Sequence, residues 1–457
     1  MAGEELASGV RRLRPDDHFM ILSETDASPM HVGALVMLAV PDGERQGFYN
    51  LIRRHLAERL PGTPLQTRLA QAPDGYDSDV WVDVADIDLD YHVTRVSIDG
   101  EWSEERLRAD VARRSMQRLD LGRAPFRIFV FESIAADKAA LYIKSHHALA
   151  DGIGFQSLLM LLSDAVPASA PRTRDGALPS PDAWRALADK RFSEEAARAE
   201  AHREHRKEAL ATLEALKEDP ATRRSRTPTL RMSGPTAAER VYATLSLSFG
   251  RIKALSKALD GTINDVFLAL SASAVRRLLI ELDDLPNTPI VLNSARSYRR
   301  PEHGPFGNRI VALHPHIATT IADPIERLRA IQAEMRREMK RTPLDEAMLD
   351  QPERPFGARD RRAKFAERTG SGKALLPGNI TLSNVPGPAE ELRYAGFRQI
   401  ANYPVPIVGN GRFLNITSRR NADRLDIGVM ADPTRVADVE TVARYLEKAL
   451  DEYEGLA

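Results

Sequence analysis

Residues able to do chemistry concentrate in one stretch, Leu141-Tyr142-Ile143-Lys144-Ser145-His146-His147-Ala148-Leu149-Ala150-Asp151-Gly152. Its apolar run reads as a buried strand that leaves the sheet at two histidines, and Phe155, Leu158, Leu159 and Leu162 carry a helix begun near Gly154. An unperturbed imidazole titrates close to neutrality, which suits a group that takes a proton from a hydroxyl and hands it on. Successive strand side chains point to opposite faces, so His146 and His147 should diverge, which argues against a metal pair. The chain has no cysteine and shows none of the usual zinc spacings among its 11 histidines, so no metal site is expected. Asp151 reads as an anchor for the loop, and Gly152 lets the backbone turn sharply behind it. For the bare HHxxxDG pattern two readings stay open. One imidazole acts as a base, or polar residues close a strand and Asp151 caps the next helix.

A large scaffold must position this stretch. The 457 residues suit two domains of some two hundred residues each. Lysine and arginine number 64 against 65 acidic residues, a formal net charge of -1, so no global pull toward nucleic acid is expected. Zero cysteines excludes disulfides and thiol nucleophiles. Residues 1–14 hold no apolar core of signal-peptide type, and no apolar run approaches the roughly 20 residues that span a bilayer. A cytoplasmic protein is expected, with any membrane contact peripheral.

In chain order, 29–38 reads as a buried strand in which Gly33 permits close backbone approach. Residues 48–60 have helical spacing and stop at Pro61-Gly62, 88–93 reads as a strand entry, 103–119 as a helix, and 127–132 as a strand beside the motif strand. This alternation is α/β in class. From 165 the chain turns Pro-, Ala- and Ser-rich, and 182–218 reads as one long helix with Ser180 as N-cap and Pro181 at its first position. Such a helix could lie on a lipid surface. The alternating charges leave no wide cationic face, so a solvated connector between domains is the favoured reading. In the second half, 241–249 reads as a strand, 251–259 as a helix, and 262–282 as a long apolar helix with Thr262 or Asn264 as a plain N-cap. Residues 289–296 read as a buried strand ending in Arg296, 307–311 as a loop-to-strand turn, and 342–372 as a mobile loop.

Several of these stretches carry a resemblance. HHxxxDG resembles the signature of the chloramphenicol-acetyltransferase-like superfamily of CoA-dependent acyltransferases, which includes peptide-synthetase condensation domains and wax ester synthases. Within it, PMHVGAL (29–35) with the preceding LSETDAS (22–28) resembles the N-terminal signature of the wax ester synthase/diacylglycerol acyltransferase family. DLDYHV (88–93), NDVFLAL (264–270), SNVPGP (383–388) and the segment 403–416 look like further blocks of that family, so the likeness spans nearly the whole chain.

The resemblance implies an α/β fold of α+β type: two chloramphenicol-acetyltransferase-like domains with mixed sheets and an active-site channel between them. The halves would be 1–165 and 238–457, joined by a connector at 166–237 with a long polar helix. It places the second histidine, His147, in the channel as general base, with His146 and Asp151 completing the motif. The reaction would move a fatty acyl group from acyl-CoA to a long-chain alcohol or diacylglycerol by direct transfer. Asn264 and Ser383 would be donors to the oxyanion, with Gly152, Asn384 and Asp265 beside the substrate. Acyl-CoA would be a co-substrate and no other cofactor is implied. The partners would be lipids, met at the inner membrane or a lipid-droplet surface, and no nucleic acid. Asp151 is expected to turn from the substrate and pair with Arg296, which ends a strand expected to reach the interface.

Two departures from the family pattern stand out. Leu292-Asn293-Ser294 replaces a Pro-Val-Ser type run, and Pro125-Phe126-Arg127 replaces Pro-Leu-Trp. Arg127 must either snorkel at the strand's edge or polarise the channel toward shorter acyl chains or a more polar alcohol. Three alternatives remain: a condensation-type domain with carrier-bound donors, an acyltransferase of the same fold acting on a polar or secondary-metabolite alcohol, and a non-catalytic lipid-surface protein.

Overall fold

In a computed structural model, the described residues are 5–41, 47–97, 103–135, 137–201, 203–218, 226–349 and 377–457. The apolar runs His31–Ala39 and Lys138–His146 lie side by side, antiparallel, in the middle of a six-stranded sheet. The sheet order is Arg393–Tyr394, Phe397–Val405, His31–Ala39, Lys138–His146, Phe126–Ala135 and Val93–Val96. Only the last pair is parallel. Helices Phe48–Arg59 and Gly152–Leu162 cover one face through Ile52, Leu56, Phe155, Leu158 and Leu159. The other face is covered by Leu107 and Val111 of helix Glu104–Ser115, with Tyr242 and Met430 from the second half. With both faces covered, Leu141, Tyr142 and Ile143 are all buried, which is why this strand reads as an unbroken apolar run.

The second half builds its own mixed sheet in the order Ile310–Leu313, Leu292–Ser297, Ile380–Val385, Leu414–Asn421, Arg424–Ala431 and Val241–Ser248. Leu292–Ser297, Ile380–Val385 and Leu414–Asn421 run parallel, so their carboxyl ends share one end of the sheet. The amphipathic helix Val439–Glu454 and the apolar helix Ile263–Glu281 pack on it through Val442, Leu446, Leu450, Phe267 and Leu278. A small antiparallel sheet, Glu5–Ala7, Val10–Arg12, Val80–Asp83 and Thr67–Ala70, sits beside the first half.

Several expectations need correction. The C-terminal stretch does not keep to its half, because 393–405 crosses over to add two strands to the first sheet, next to His31–Ala39. Residues 89–92 form one helical turn capped by Asp88, which accepts from Tyr91 N, before the strand Val93–Val96 begins. The long connector helix is two helices, Pro181–Ala201 and Arg203–Glu218. The first is not solvated all round. Trp184 packs into the core of the small sheet and donates Nε1–H to the buried carboxylate of Asp77 at 3.0 Å, where Arg12 (3.0 Å) and Arg191 (2.5 Å) also converge. The loop expected over 342–372 begins as the end of helix Pro324–Leu349, and its part from 350 onward lies outside the described residues. Among the described residues, no helix is long and apolar enough to cross a membrane.

Candidate active site

The motif strand ends at His146, and the next residues are held by the strand beside it and by a loop of the second half. His147 donates its backbone N–H to Met30 O at 2.7 Å. Gly307, at a left-handed φ of 75°, donates to Leu149 O at 2.8 Å, and Ala150 and Gly307 form a parallel bridge. Asp151 is buried and does two jobs. Oδ1 accepts from Gly154 N at 2.9 Å and caps helix Gly152–Leu162, while Oδ2 accepts from Arg309 N at 3.1 Å and from the Arg299 guanidinium at 2.7 Å. Arg299 also donates to the carbonyls of Gly304 (2.6 Å), Phe306 (3.0 Å) and Gly307 (2.6 Å). Both expectations for Asp151, helix cap and loop anchor, describe the same side chain.

The expected partner was Arg296, and the structure corrects this to Arg299. Arg296 is exposed on the strand Leu292–Ser297, whereas Arg299 lies beyond the strand's end and turns back over the loop. Ser-x-Arg occurs at 294–296 and again at 297–299. Spacing alone does not choose between them, and the point where the strand stops does.

The two histidines separate as strand alternation requires. His146 is fully buried, and its Nδ1 accepts from Ala148 N at 3.1 Å, which places the ring proton on Nε2. That nitrogen faces Glu24 Oε1 at 3.7 Å. Burial pushes the His146 pKa down to about 3, so the ring is neutral and has no lone pair to offer. Glu24 also accepts from Met30 N at 3.1 Å and from Arg118 Nε and Nη2 at 3.1 and 2.8 Å, and it lies 3.3 Å from His31 Nε2. Burial raises its pKa, but the polar groups gathered on it, the imidazoles of His31 and His146 and the Arg118 guanidinium that donates to it, outweigh that and hold it at about 2.

His147 meets a different set of groups. Asn308 Nδ2 donates to Asp17 Oδ1 at 2.8 Å and to His147 O at 2.7 Å, both of which can only accept from it. The amide orientation is thereby fixed, and Asn308 Oδ1 faces His147 Nδ1 at 2.9 Å. Nδ1 must carry the proton, which leaves the lone pair on Nε2. That atom has no hydrogen-bond partner among the described residues, and the side chain is half-buried. Burial, only partly countered by Asp151 and Asn308, lowers the His147 pKa, so the imidazole is neutral at pH 7. Asp17 also accepts from Asn308 N at 2.7 Å, and burial raises its own pKa to about 6.

Strand Ile380–Val385 brings the third segment. Ile380 and Leu382 face the core, so Ser383 shares the opposite face with Val385, whose Cγ2 would lie 3.0 Å from a Cβ at Gly152. Gly152 is needed for that close approach. Ser383 is half-buried, and its hydroxyl makes no hydrogen bond among the described residues. Asn384, expected beside the substrate, points the other way and accepts from Ser418 Oγ at 3.0 Å, a bond within the sheet. Asp265, also expected beside the substrate, closes a capping box, accepting from Thr262 N and Oγ1 at 2.9 Å while Thr262 Oγ1 accepts from its N–H. Asn264, in the first turn of that helix, is half-buried, and its side-chain amide makes no hydrogen bond among the described residues.

Sequence reasoning gave no role to Asn308, Asp17, Glu24 or Arg299. Asn308 sits in the quoted Gly307-Asn308-Arg309 turn, a polar residue opening a strand and the one available hint. Asp16 and Asp17 stand in the first turn of helix Pro15–Ser23, where acids suit the helix dipole. Among the described residues no cluster of His, Asp or Glu could hold a metal ion.

Arg127 lies at the start of strand Phe126–Ala135, on the face of Lys144, its cross-strand partner. It donates to Thr94 Oγ1 at 2.9 Å and lies 4.4 Å from the Tyr91 ring centroid.

Comparison with known proteins gives a consistent result. The family model of the wax ester synthase/diacylglycerol acyltransferase catalytic domain matches residues 13–267, and that of the family's C-terminal domain matches 306–454. A Mycobacterium tuberculosis protein named as a probable diacylglycerol O-acyltransferase is 29% identical over 97% of this chain and 98% of its own. The O-acyltransferase WSD of Acinetobacter baylyi is 26% identical over 98% of each. Among solved structures, a wax ester synthase/diacylglycerol acyltransferase from Marinobacter aquaeolei covers 97% of this chain and 98% of its own at TM-score 0.67 and 22% identity. The first condensation domain of the calcium-dependent antibiotic synthetase covers 98% and 97% at TM-score 0.61 and 15% identity. At those identities the likeness is one of fold.

Proposed function

Because the chain belongs to the wax ester synthase/diacylglycerol acyltransferase family, and is therefore an acyltransferase, we propose that it moves a fatty acyl group from acyl-CoA to the hydroxyl of a long-chain alcohol or diacylglycerol, with His147 as general base. The observation that carries this reading is the His147 ring, neutral, with its proton held on Nδ1 and an uncommitted lone pair on Nε2.

His147 Nε2 takes the hydroxyl proton while the oxygen forms a bond to the thioester carbonyl carbon. The tetrahedral oxyanion then collapses, the carbon–sulfur bond breaks, and the departing CoA thiolate takes the proton back from His147. Ester and free CoA thiol are the products, and the base returns neutral. Ser383 is the favoured donor to the oxyanion, since it lies on the strand face turned to Gly152 and its hydroxyl is uncommitted. Asn264 is the second candidate. Acyl-CoA is a co-substrate, and no further cofactor enters these steps. With no cysteine in the chain, transfer is direct within a ternary complex. Lipid acceptors would be drawn from a membrane or droplet surface, and co-flotation with liposomes measures that contact.

The test is to incubate the pure protein with a ladder of acyl-CoAs and a panel of alcohols and diacylglycerol, following thiol release beside ester formation. Matched release and ester formation is expected. Ping-pong kinetics would refute direct transfer, and acceptance of carrier-bound acyl donors alone would sink the acyl-CoA reading.

A further inference from the structure

We propose that Asp17 is a positioning residue for the base: its carboxylate turns the Asn308 amide so that His147 keeps its proton on Nδ1 and its lone pair on Nε2. This rests on His147 acting as the general base.

The Asp17 carboxylate is buried, and burying it is unfavourable unless donors meet it. Both donors on Oδ1 come from one residue, the backbone N–H and the side-chain amide of Asn308. The first sets where Asn308 sits and the second sets which way its amide faces. His147 O is the other acceptor for that amide, so Asp17 supplies the charged half of a two-point grip. A reversed amide would aim Nδ2 at His147 Nδ1, and the ring would then carry its proton on Nε2, where it cannot accept one from a substrate hydroxyl.

The grip also crosses the molecule. Asp17 belongs to the N-terminal helix Pro15–Ser23, and Asn308 to the loop of the second half. The same helix start is tied to that half again, since Tyr298 Oη donates to Asp16 Oδ2 at 2.8 Å and Arg14 donates to Tyr298 Oη at 3.4 Å. The base is thus in its working tautomer when the two halves are docked.

Nitrogen NMR of histidine-labelled protein reads the tautomer without any substrate, so this test fails or succeeds separately from the acyl-transfer reading. The His147 signals are those that vanish in His147→Gln. In wild type, protonated Nδ1 and bare Nε2 are expected. Asp17→Ala is expected to show partial conversion to protonated Nε2, and kcat should fall roughly 10- to 100-fold with KM for both substrates little changed, as for outer partners that orient a functional imidazole. Asp17→Asn keeps an acceptor oxygen in the same place and should recover most of that loss. A wild-type ring protonated on Nε2 would overturn the proposal, and that spectrum decides even if Asp17→Ala does not fold. So would Asp17→Ala with an unchanged tautomer and kcat within about twofold of wild type. An Asp17→Asn protein as impaired as Asp17→Ala, with the Nδ1 proton retained, would show that charge and not orientation matters, and would overturn it equally.

Discussion

The groups around His146 and those around His147 are supplied by adjacent residues of one strand end, yet the two regions differ in how each imidazole's lone pair is committed. Around His146 the protein is closed: a backbone N–H occupies Nδ1, Nε2 faces Glu24, and Glu24 in turn holds Met30, His31 and Arg118. Around His147 the protein fixes one nitrogen through Asn308 and leaves the other without a partner. The first region anchors, and the second keeps the open lone pair on which the proposed base role rests. They are coupled, since Met30 hangs from Glu24 by its N–H and holds His147 N by its carbonyl.

The comparison breaks most directly at the two rings. His147→Ala should lower kcat by at least roughly 100-fold with an unchanged melting curve, because a positioned general base contributes about that much or more. His146→Ala should instead lower the melting temperature through the cavity it leaves. If His146→Ala abolished turnover and His147→Ala did not, the assignment of roles would be reversed.

The next effect is on stability. Arg299→Met leaves the buried Asp151 carboxylate without its cation and should destabilise the fold by about 3–5 kcal/mol, with loss of activity as the loop detaches. Arg296→Met, at an exposed site, should stay within about 0.5 kcal/mol. Denaturant unfolding of the two variants side by side measures the difference, and equal effects would remove the claim that Arg299 is the staple.

Acid should separate the regions by sign. His146 is held at about 3 against an ordinary 6.5, so below pH 6.5 the unfolded chain takes up a proton that the fold refuses, and this contribution to stability is lost as pH falls. Asp17 is held at about 6 against 3.8, so the fold takes up a proton first and gains stability as pH falls through that window. Melting temperatures between pH 6.5 and 4 should therefore fall less steeply in His146→Gln and more steeply in Asp17→Asn than in wild type. Parallel curves for all three would contradict the assignment. The smallest effect is expected at Arg127, which is occupied by Thr94 and Tyr91 on the face away from His147. Arg127→Trp should leave the acyl-chain profile as it is, and a shifted profile would show that this strand end reaches the substrate.

Much of the fold was legible from local pattern. The motif strand, the strand His31–Ala39 and the apolar helix Ile263–Glu281 all follow from hydrophobic runs bounded by Gly, Pro or capping residues. Alternation along a strand already required His146 and His147 to face apart, because that rule depends only on backbone geometry. What no local pattern carries is which distant segment arrives at a given side chain. Arg299 was chosen over Arg296 by where a strand stops, and 393–405 joined the first sheet because His31–Ala39 presents an edge that must be paired. The protonation state of His147 depends on Asn308 and Asp17, 161 residues on one side of the hydrogen bond and 291 across the next. The sequence by itself determined that an imidazole would stand at a strand end. Only the tertiary structure decided which nitrogen of that imidazole is free, because a tautomer is set by the partner that folding brings to the other nitrogen.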